Sequence, residues 1–318
     1  MIDKIYIPTL GRPEEQVTWD NLPSQLQEKV CFVIHEREKD LYKYDAEYLV
    51  LPDELDRISK VRKEIIYHAD EQRFCMWDDD VIFYRRNRKY YGDLRINDVY
   101  IPDVLKEDGK PMSKWKMEYR DFVEMFAQFN EWFDKEETLL HIGHRRTNLP
   151  PLGSIHDNIF FNSMHCIDGK KLKNIRDEIL WDWCQVGEDA NFMLEYLTRG
   201  YTNRRTDLYS AHWGSYQEGG CSLYRDADFH NKEHEKLMSR WPEYVSVRKE
   251  MMAQGPDGTN IGMIKEFKYN MKKAHNDSKH MYQSKHFADG FHEGDWERDF
   301  EWPTRDGDGK LLDSTELE

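Results

Sequence analysis

The sequence predicts an α/β fold, a sheet flanked by helices, and three observations predict it. Short apolar, β-rich runs recur through the first eighty residues. Stretches whose apolar residues repeat at helical spacing stand between them. The runs are continuous and not alternating, the pattern of strands buried on both faces. Strands separated by helices suggest a parallel sheet with helices on its faces. Ligands of such sheets bind at the carboxyl ends of the strands.

The elements follow in order. Lys4-Ile5-Tyr6-Ile7 is the first run, stopped by Pro8. Val30-Cys31-Phe32-Val33-Ile34 is the second, and Tyr48-Leu49-Val50-Leu51, closed by Pro52, is the third. Leu55, Ile58, Val61, Ile65 and Ile66 then mark a helical face. Phe74-Cys75-Met76-Trp77 is the fourth run and ends abruptly in Asp78-Asp79-Asp80. Residues 85–118 are polar and turn-rich and read as an insertion or mobile loop. Phe122, Met125, Phe126, Phe129 and Phe133 mark an amphipathic helix. Leu139–Gly143 and Asn158–Phe161 read as strands, with a basic, proline-rich loop from His144 to Gly153 between them. Ala190, Met193, Leu194 and Leu197 form another helical face, stopped by Gly200. Beyond residue 216 the pattern becomes helical and charged. Residues 290–318 carry ten acids against three bases and read as an acidic, partly disordered tail. The expected organisation is an α/β domain over 1–215, a helical extension over 216–289 and the tail.

Composition bounds the function. The 318 residues include 46 Lys+Arg against 61 Asp+Glu, a net charge of −15. A chain this acidic does not attract nucleic acid in bulk; contact with phosphates requires a local basic patch or a bound metal. No apolar run approaches the roughly 20 residues of a membrane span. The first residues run directly into a strand, so no signal peptide is expected. Five cysteines, widely spaced and without a CxxC, argue against a disulfide framework or a zinc knuckle and for a reducing cytoplasm.

Asp78-Asp79-Asp80 carries the most chemistry. Three adjacent carboxylates repel one another, so a fold gains no stability from them after a buried strand. In extended chain, residues 78 and 80 point to one side. Two carboxylates on one side suit a hard cation such as Mg2+ or Mn2+, which would neutralise a leaving diphosphate. The bland alternative is an exposed acidic turn, which the buried-looking runs on either side disfavour. Gly187-Glu188-Asp189 precedes a helix; it reads as a helix start with favourable dipole charge or as a second functional pair. His212, beside Trp213 and Gly214, adds an imidazole.

Taken in order, these motifs resemble those of a GT-A fold glycosyltransferase over residues 1–215. Ile5–Pro13 resembles the first strand and nucleotide loop. Leu55–Arg62 resembles the helix whose Ser and Arg lie near the donor. Trp77-Asp78-Asp79-Asp80 resembles the DxD motif, and Gly187-Glu188-Asp189 with Gly200-Tyr201 the xED segment. His212 falls where many members carry a metal ligand. Within that fold the chain is similar to phage-type TET-associated glycosyltransferases, which decorate hydroxymethylated pyrimidines in DNA. The resemblance implies a Rossmann-like mixed sheet, a nucleotide sugar (UDP-linked) and Mn2+ or Mg2+. It implies that Asp80 binds the metal, that Asp78 binds it through water or holds the ribose, and that His212 completes the shell. Asp79 would lie near the donor sugar, and Pro8, Thr9, Arg12 and Arg62 would frame the nucleotide. Asp189, with Glu188 beside it, would be the base in an inverting transfer.

For the acceptor, His144-Arg145-Arg146 is a basic group, Arg85-Arg86-Asn87-Arg88-Lys89, Lys170-Lys171-Leu172-Lys173 and Arg204-Arg205 add more, and Trp213 and Tyr216 supply aromatic faces. Arginines with aromatics suit DNA phosphates and a flipped base, whereas each basic cluster alone also reads as a solvated face. A saccharide or protein acceptor is the alternative within the same chemistry. A nucleotidyltransferase also uses paired carboxylates with a metal, and would release pyrophosphate. No obligate protein partner is evident.

Overall fold

A computed structural model of the chain describes residues 2–86, 114–149, 155–162, 164–213, 226–254 and 260–288. The apolar runs become strands where continuous hydrophobicity demands burial on both faces. β1 (Lys4–Pro8) ends at its proline, and two short helices, α1 (Val17–Asn21) and α2 (Ser24–Gln27), lead to β2 (Val30–His35), which is buried throughout. β3 (Glu47–Leu51), α3 (Ile58–Ala69) and β4 (Arg73–Trp77) follow as the spacing predicts. After the three aspartates the chain turns directly into β5 (Val81–Arg86); β6 (Lys114–Lys116) and α4 (Tyr119–Lys135) come next. β7 (Leu139–Arg146), β8 (Ile155–Asp157), β9 (Met164–Asp168), α5 (Gly169–Lys173), α6 (Glu188–Leu197) and β10 (Thr202–Trp213) complete the α/β part.

One mixed sheet holds ten strands in the order β3-β2-β1-β4-β9-β7-β10-β5-β6, with β8 on β10. β1 to β4 run parallel, and so do β7 and β10; β9 and β5 run against their neighbours. The expected fold class, a mixed sheet flanked by helices, is what forms. Its two faces bury different cores. On one, α4 lays Phe122, Met125, Phe129 and Phe133 against Trp77, Phe83 and Ile142. Each such side chain contributes roughly 1.5–3 kcal/mol of burial. On the other, α3 and α6 cover Tyr6, Phe74, Leu140 and Ile167.

Several expectations change. The strand expected at Asn158–Phe161 splits into β8 before it and β9 after it, and Asn158 takes a positive φ of 53° that breaks any extended run. The basic loop begins later than predicted, because His144, Arg145 and Arg146 continue β7. The 216–289 region is not helical throughout. After α7 (Ala227–Arg240), β11 (Val245–Gln254) and β12 (Asn260–Tyr269) form an antiparallel hairpin before α8 (Met271–Ala288). Charges there hid a strand pairing that they support: Lys249 lies opposite Glu266, and Glu250 opposite Lys265. The cysteines are not all unpaired. Cys75 and Cys166 stand opposite each other on β4 and β9 and form a disulfide, while Cys31 and Cys184 are free. Ninety-one residues separate the pair, so spacing could not reveal it. Most of the expected insertion (87–113), the acidic tail and Tyr216 lie outside the described residues. Among the described residues no helix is long and apolar enough to cross a membrane.

Candidate active site

The three aspartates occupy the turn from β4 to β5 at the carboxyl end of the sheet's central strands. Thr18 on α1 clamps that turn. Its hydroxyl donates to the Asp78 carbonyl at 2.6 Å and accepts from the Val81 N–H at 2.8 Å, and its own N–H reaches the Asp79 carbonyl at 2.9 Å. The side chains then diverge. Asp79 is buried and accepts from Thr9 Oγ1 at 2.6 Å and from Arg12. Thr9 is itself held by Gln16 at 2.9 Å and lies 3.2 Å from the Tyr42 hydroxyl. Asp79 thus ties the loop after β1 to the end of β4, and its carboxylate faces Thr9 and Arg12 inside the fold. Burial still raises its pKa against the pull of Arg12 and Thr9.

Asp80 is the carboxylate left without such compensation. Burial, then the charges of Asp78 and Asp79, push it up to about 7, with Arg12 opposing. Repulsion of this kind is what a bound cation relieves. His212 sits near the end of β10 in register with Ile82, two residues beyond Asp80, and its side chain is exposed. Among the described residues no group of three or more His, Cys, Asp or Glu side chains is gathered to hold a metal ion. Asp78, Asp80 and His212 are therefore not gathered as a preformed cage.

Arg62 joins this turn to the second acidic pair. It projects from α3 and is buried; its Nη2 lies 3.4 Å from Asp78 Oδ1, while Nη1 donates to Glu188 at 3.0 Å and to Asp189. Gly187 takes a φ of 82°, which starts α6 with both acids turned toward Arg62. Ser59, a turn before Arg62, donates to Gln185 at 2.8 Å and fixes the same approach. Burial opposes the charge on Asp189, but Arg62 and His165 outweigh it and hold the carboxyl below its ordinary range. The acidic pair thus starts α6 and is also ion-paired to Arg62.

Behind Asp189 runs a chain of hydrogen bonds that the sequence did not reveal. His165 Nε2 lies 3.0 Å from Asp189 Oδ1, and His165 Nδ1 is 2.9 Å from His141 Nε2. His141 Nδ1 is 3.0 Å from the Tyr196 hydroxyl, which accepts from Asn203 Nδ2 at 2.8 Å. The direction of every proton follows from one fixed donor. The Ile159 backbone N–H donates to Asn203 Oδ1 at 2.9 Å, so Asn203 presents its NH2 to Tyr196. Tyr196 then donates to His141 Nδ1 and His141 donates from Nε2 to His165 Nδ1, which leaves His165 Nε2 facing Asp189 Oδ1 at 3.0 Å, outside hydrogen-bond geometry. Burial, then the charges of His165 and Arg62, drive the His141 pKa well down, so this ring is neutral. The legible signal was a histidine inside each of two apolar runs, Leu140-His141-Ile142 and Met164-His165-Cys166.

The expected acceptor group divides. His144 is buried between Phe83 and Phe129 on the α4 side of the sheet and does not face a cleft. Strand alternation is the reason, since β7 continues through it. Arg145 is buried on the opposite face, and the Arg146 carbonyl accepts from Arg86 at 2.8 Å. Trp213 ends β10, opposite Val81. Arg85 binds Asp121 and Glu124, and Lys171 donates to the carbonyls of Phe133, Glu136 and Leu139.

Residues 3–107 match the family model described as TET-Associated Glycosyltransferase. That span holds the β1 loop, Arg62 and all three aspartates, whereas α6 and the histidine chain lie beyond it. No curated protein matches the chain. The match over that span supports a glycosyltransferase, an enzyme that takes a nucleotide-sugar donor and an acceptor.

Proposed function

We propose that this glycosyltransferase moves a sugar from a nucleotide sugar, UDP-linked, to the hydroxyl of 5-hydroxymethylcytosine in DNA, with a divalent cation. The observation that carries the reading is Arg62, one guanidinium touching both Asp78 and the Glu188–Asp189 pair. It brings a donor-side carboxylate and a candidate base into one site.

Asp80 and Asp78 would hold Mn2+ or Mg2+, which when bound stabilises charge on the departing diphosphate. Thr9, Arg12 and Pro8 line the loop that would frame the nucleotide. In an inverting displacement the acceptor oxygen bonds to the sugar's anomeric carbon as its bond to the diphosphate oxygen breaks. The hydroxyl proton passes to Asp189, and UDP leaves. An ionised carboxylate is a weak base, so the proton moves late, as positive character builds on the acceptor oxygen. Arg62 and His165 both approach Asp189 Oδ1, and Oδ2 would face the acceptor. Nucleotide sugars and DNA meet in the cytoplasm, where this reading puts the reaction.

The test is incubation with hydroxymethylcytosine DNA and a panel of sugar nucleotides, read by mass spectrometry of the bases and by the released nucleotide. A glycosylated base with UDP release is expected, and Asp80→Ala abolishes it. A glycosylated saccharide or protein with unmodified DNA would overturn the acceptor. Pyrophosphate in place of UDP would overturn the reaction class.

A further inference from the structure

The sheet carries a second polar cluster on the face of His165 and Asp189. His141 and Phe161 are in ring contact, and so are Phe161 and His165; the ring of Phe161 lies over Gly143, where no Cβ could be accommodated. Alternation along β7 places Arg145 on this face with His141 and Gly143. Arg205 is the ladder partner of Gly143 on one side and of His156 on the other. The three side chains converge on one carboxylate. Arg205 Nε donates to Asp207 Oδ1 at 3.1 Å, while Arg145 Nε and His156 Nε2 lie 3.7 and 3.6 Å from Oδ2.

Charge here is balanced differently from that of two other buried arginines. Arg204 has two carboxylates, Glu136 and Asp157, and Arg85 has Asp121 and Glu124. Arg145 and Arg205 share Asp207, although each is only 7% exposed. Among the described residues, Arg145 Nε, Arg205 Nη2 and His156 Nε2 are buried with no hydrogen-bond acceptor. Buried donors left open cost stability, and buried charge without compensation costs more. Burial lowers the pKa of Arg205; Asp207 opposes this, while Arg145 and Arg86 add to it. What relieves open guanidinium donors is a tetrahedral oxyanion, which guanidinium forks bind in pairs.

We propose that Arg145, Arg205 and His156 form a subsite for a phosphate group, with Asp207 orienting the two guanidinium groups. The role as the acceptor's phosphate rests on the function proposed above; the binding itself does not. A phosphodiester of a nucleic-acid strand and a small phosphorylated ligand share this chemistry.

The experiment follows melting of the full chain in EDTA, with inorganic phosphate against chloride at matched ionic strength. Wild-type protein is expected to show a saturable rise in Tm with phosphate. Arg205→Met and Arg145→Met each weaken phosphate binding by about tenfold or more, and Arg205→Lys weakens it less. General salting effects act on all variants alike, so equal phosphate response in wild type and both Met variants would overturn the subsite. So would a wild type that phosphate does not stabilise, a result independent of how any variant folds. A short unmodified oligonucleotide then separates the sources. Displacement of phosphate assigns the site to the acceptor strand; its failure overturns that role and leaves a small phosphorylated ligand. Because no donor is present, phosphate binding without any transfer to DNA would sink the proposed reaction and leave the subsite standing.

Discussion

His141 and His144 lie three residues apart on one strand, both are buried, and burial pushes both pKa values down. Their surroundings differ completely. His144 packs against phenylalanines on the α4 face. His141 sits on the α6 face inside a chain of donors that ends at a carboxylate. Burying imidazole is costly on either face. On one face it fills space in an aromatic core; on the other it fixes which oxygen of Asp189 is occupied. A buried histidine therefore gains functional meaning from the group at the end of its hydrogen bonds, and burial alone does not supply it.

Asp189→Asn breaks the comparison at its most sensitive point. The amide keeps the shape and loses the base. Transfer is expected to fall about 10²–10⁴-fold in kcat, while UDP binding, followed by calorimetry, stays within about threefold. Retained kcat would remove Asp189 from the chemistry and reduce the α6 face to another packed core.

His165→Gln comes next. Partners that orient a reactive group cost about 10–100-fold when lost. The loss should fall on kcat with KM little changed, because His165 touches Asp189 and is not in the proposed donor loop. Equal losses in kcat/KM and in thermal stability with no change in the pH profile would mark the contact as structural. Tyr196→Phe is further from the site and smaller. It leaves Asn203 and His141 Nδ1 without their partner at a cost of about 1–3 kcal/mol, measured by urea unfolding, with a few-fold drop in kcat.

These residues also show how far the sequence carries. Asp78–Asp80 was legible because like charges placed against apolar runs have no packing explanation; Arg62 was legible only through the family resemblance, and Glu188–Asp189 read equally as a helix start. The β-rich runs of the first eighty residues were legible because continuous hydrophobicity has one structural use. The relay was not, since His141 and His165 are single polar positions in strands, and β9 itself was missed between a turn and a short helix. Their meaning depends on pairing β7 with β9, a contact between residues 24 apart. The disulfide and the β11–β12 hairpin were hidden for the same reason, because both are set by register across strands. The three basic residues 144–146 looked alike in sequence, and only strand alternation sends His144 to one core and Arg145 to the other.

The smallest effect on activity belongs to His144→Leu, which tests the other face. Burial lowers its pKa from 6.5 to about 3, only partly opposed by a backbone contact to Tyr209. The sign follows from linkage. Between pH 6.5 and about 3 the unfolded chain binds a proton that the folded chain refuses, so this histidine's contribution to stability is full above pH 6.5 and is lost as pH falls. At pH 5 the loss amounts to about 2 kcal/mol. His144→Leu should therefore leave kcat within about twofold at pH 7.5. It should also narrow the gap between Tm at pH 7.5 and at pH 5, read by calorimetry against wild type. A residual acid slope is expected, because His141 and His275 are also pushed down by burial. If His144→Leu instead cut transfer as deeply as His165→Gln, the two faces of β7 would not be separate, and the aromatic core would have to be counted among the parts that position Asp189.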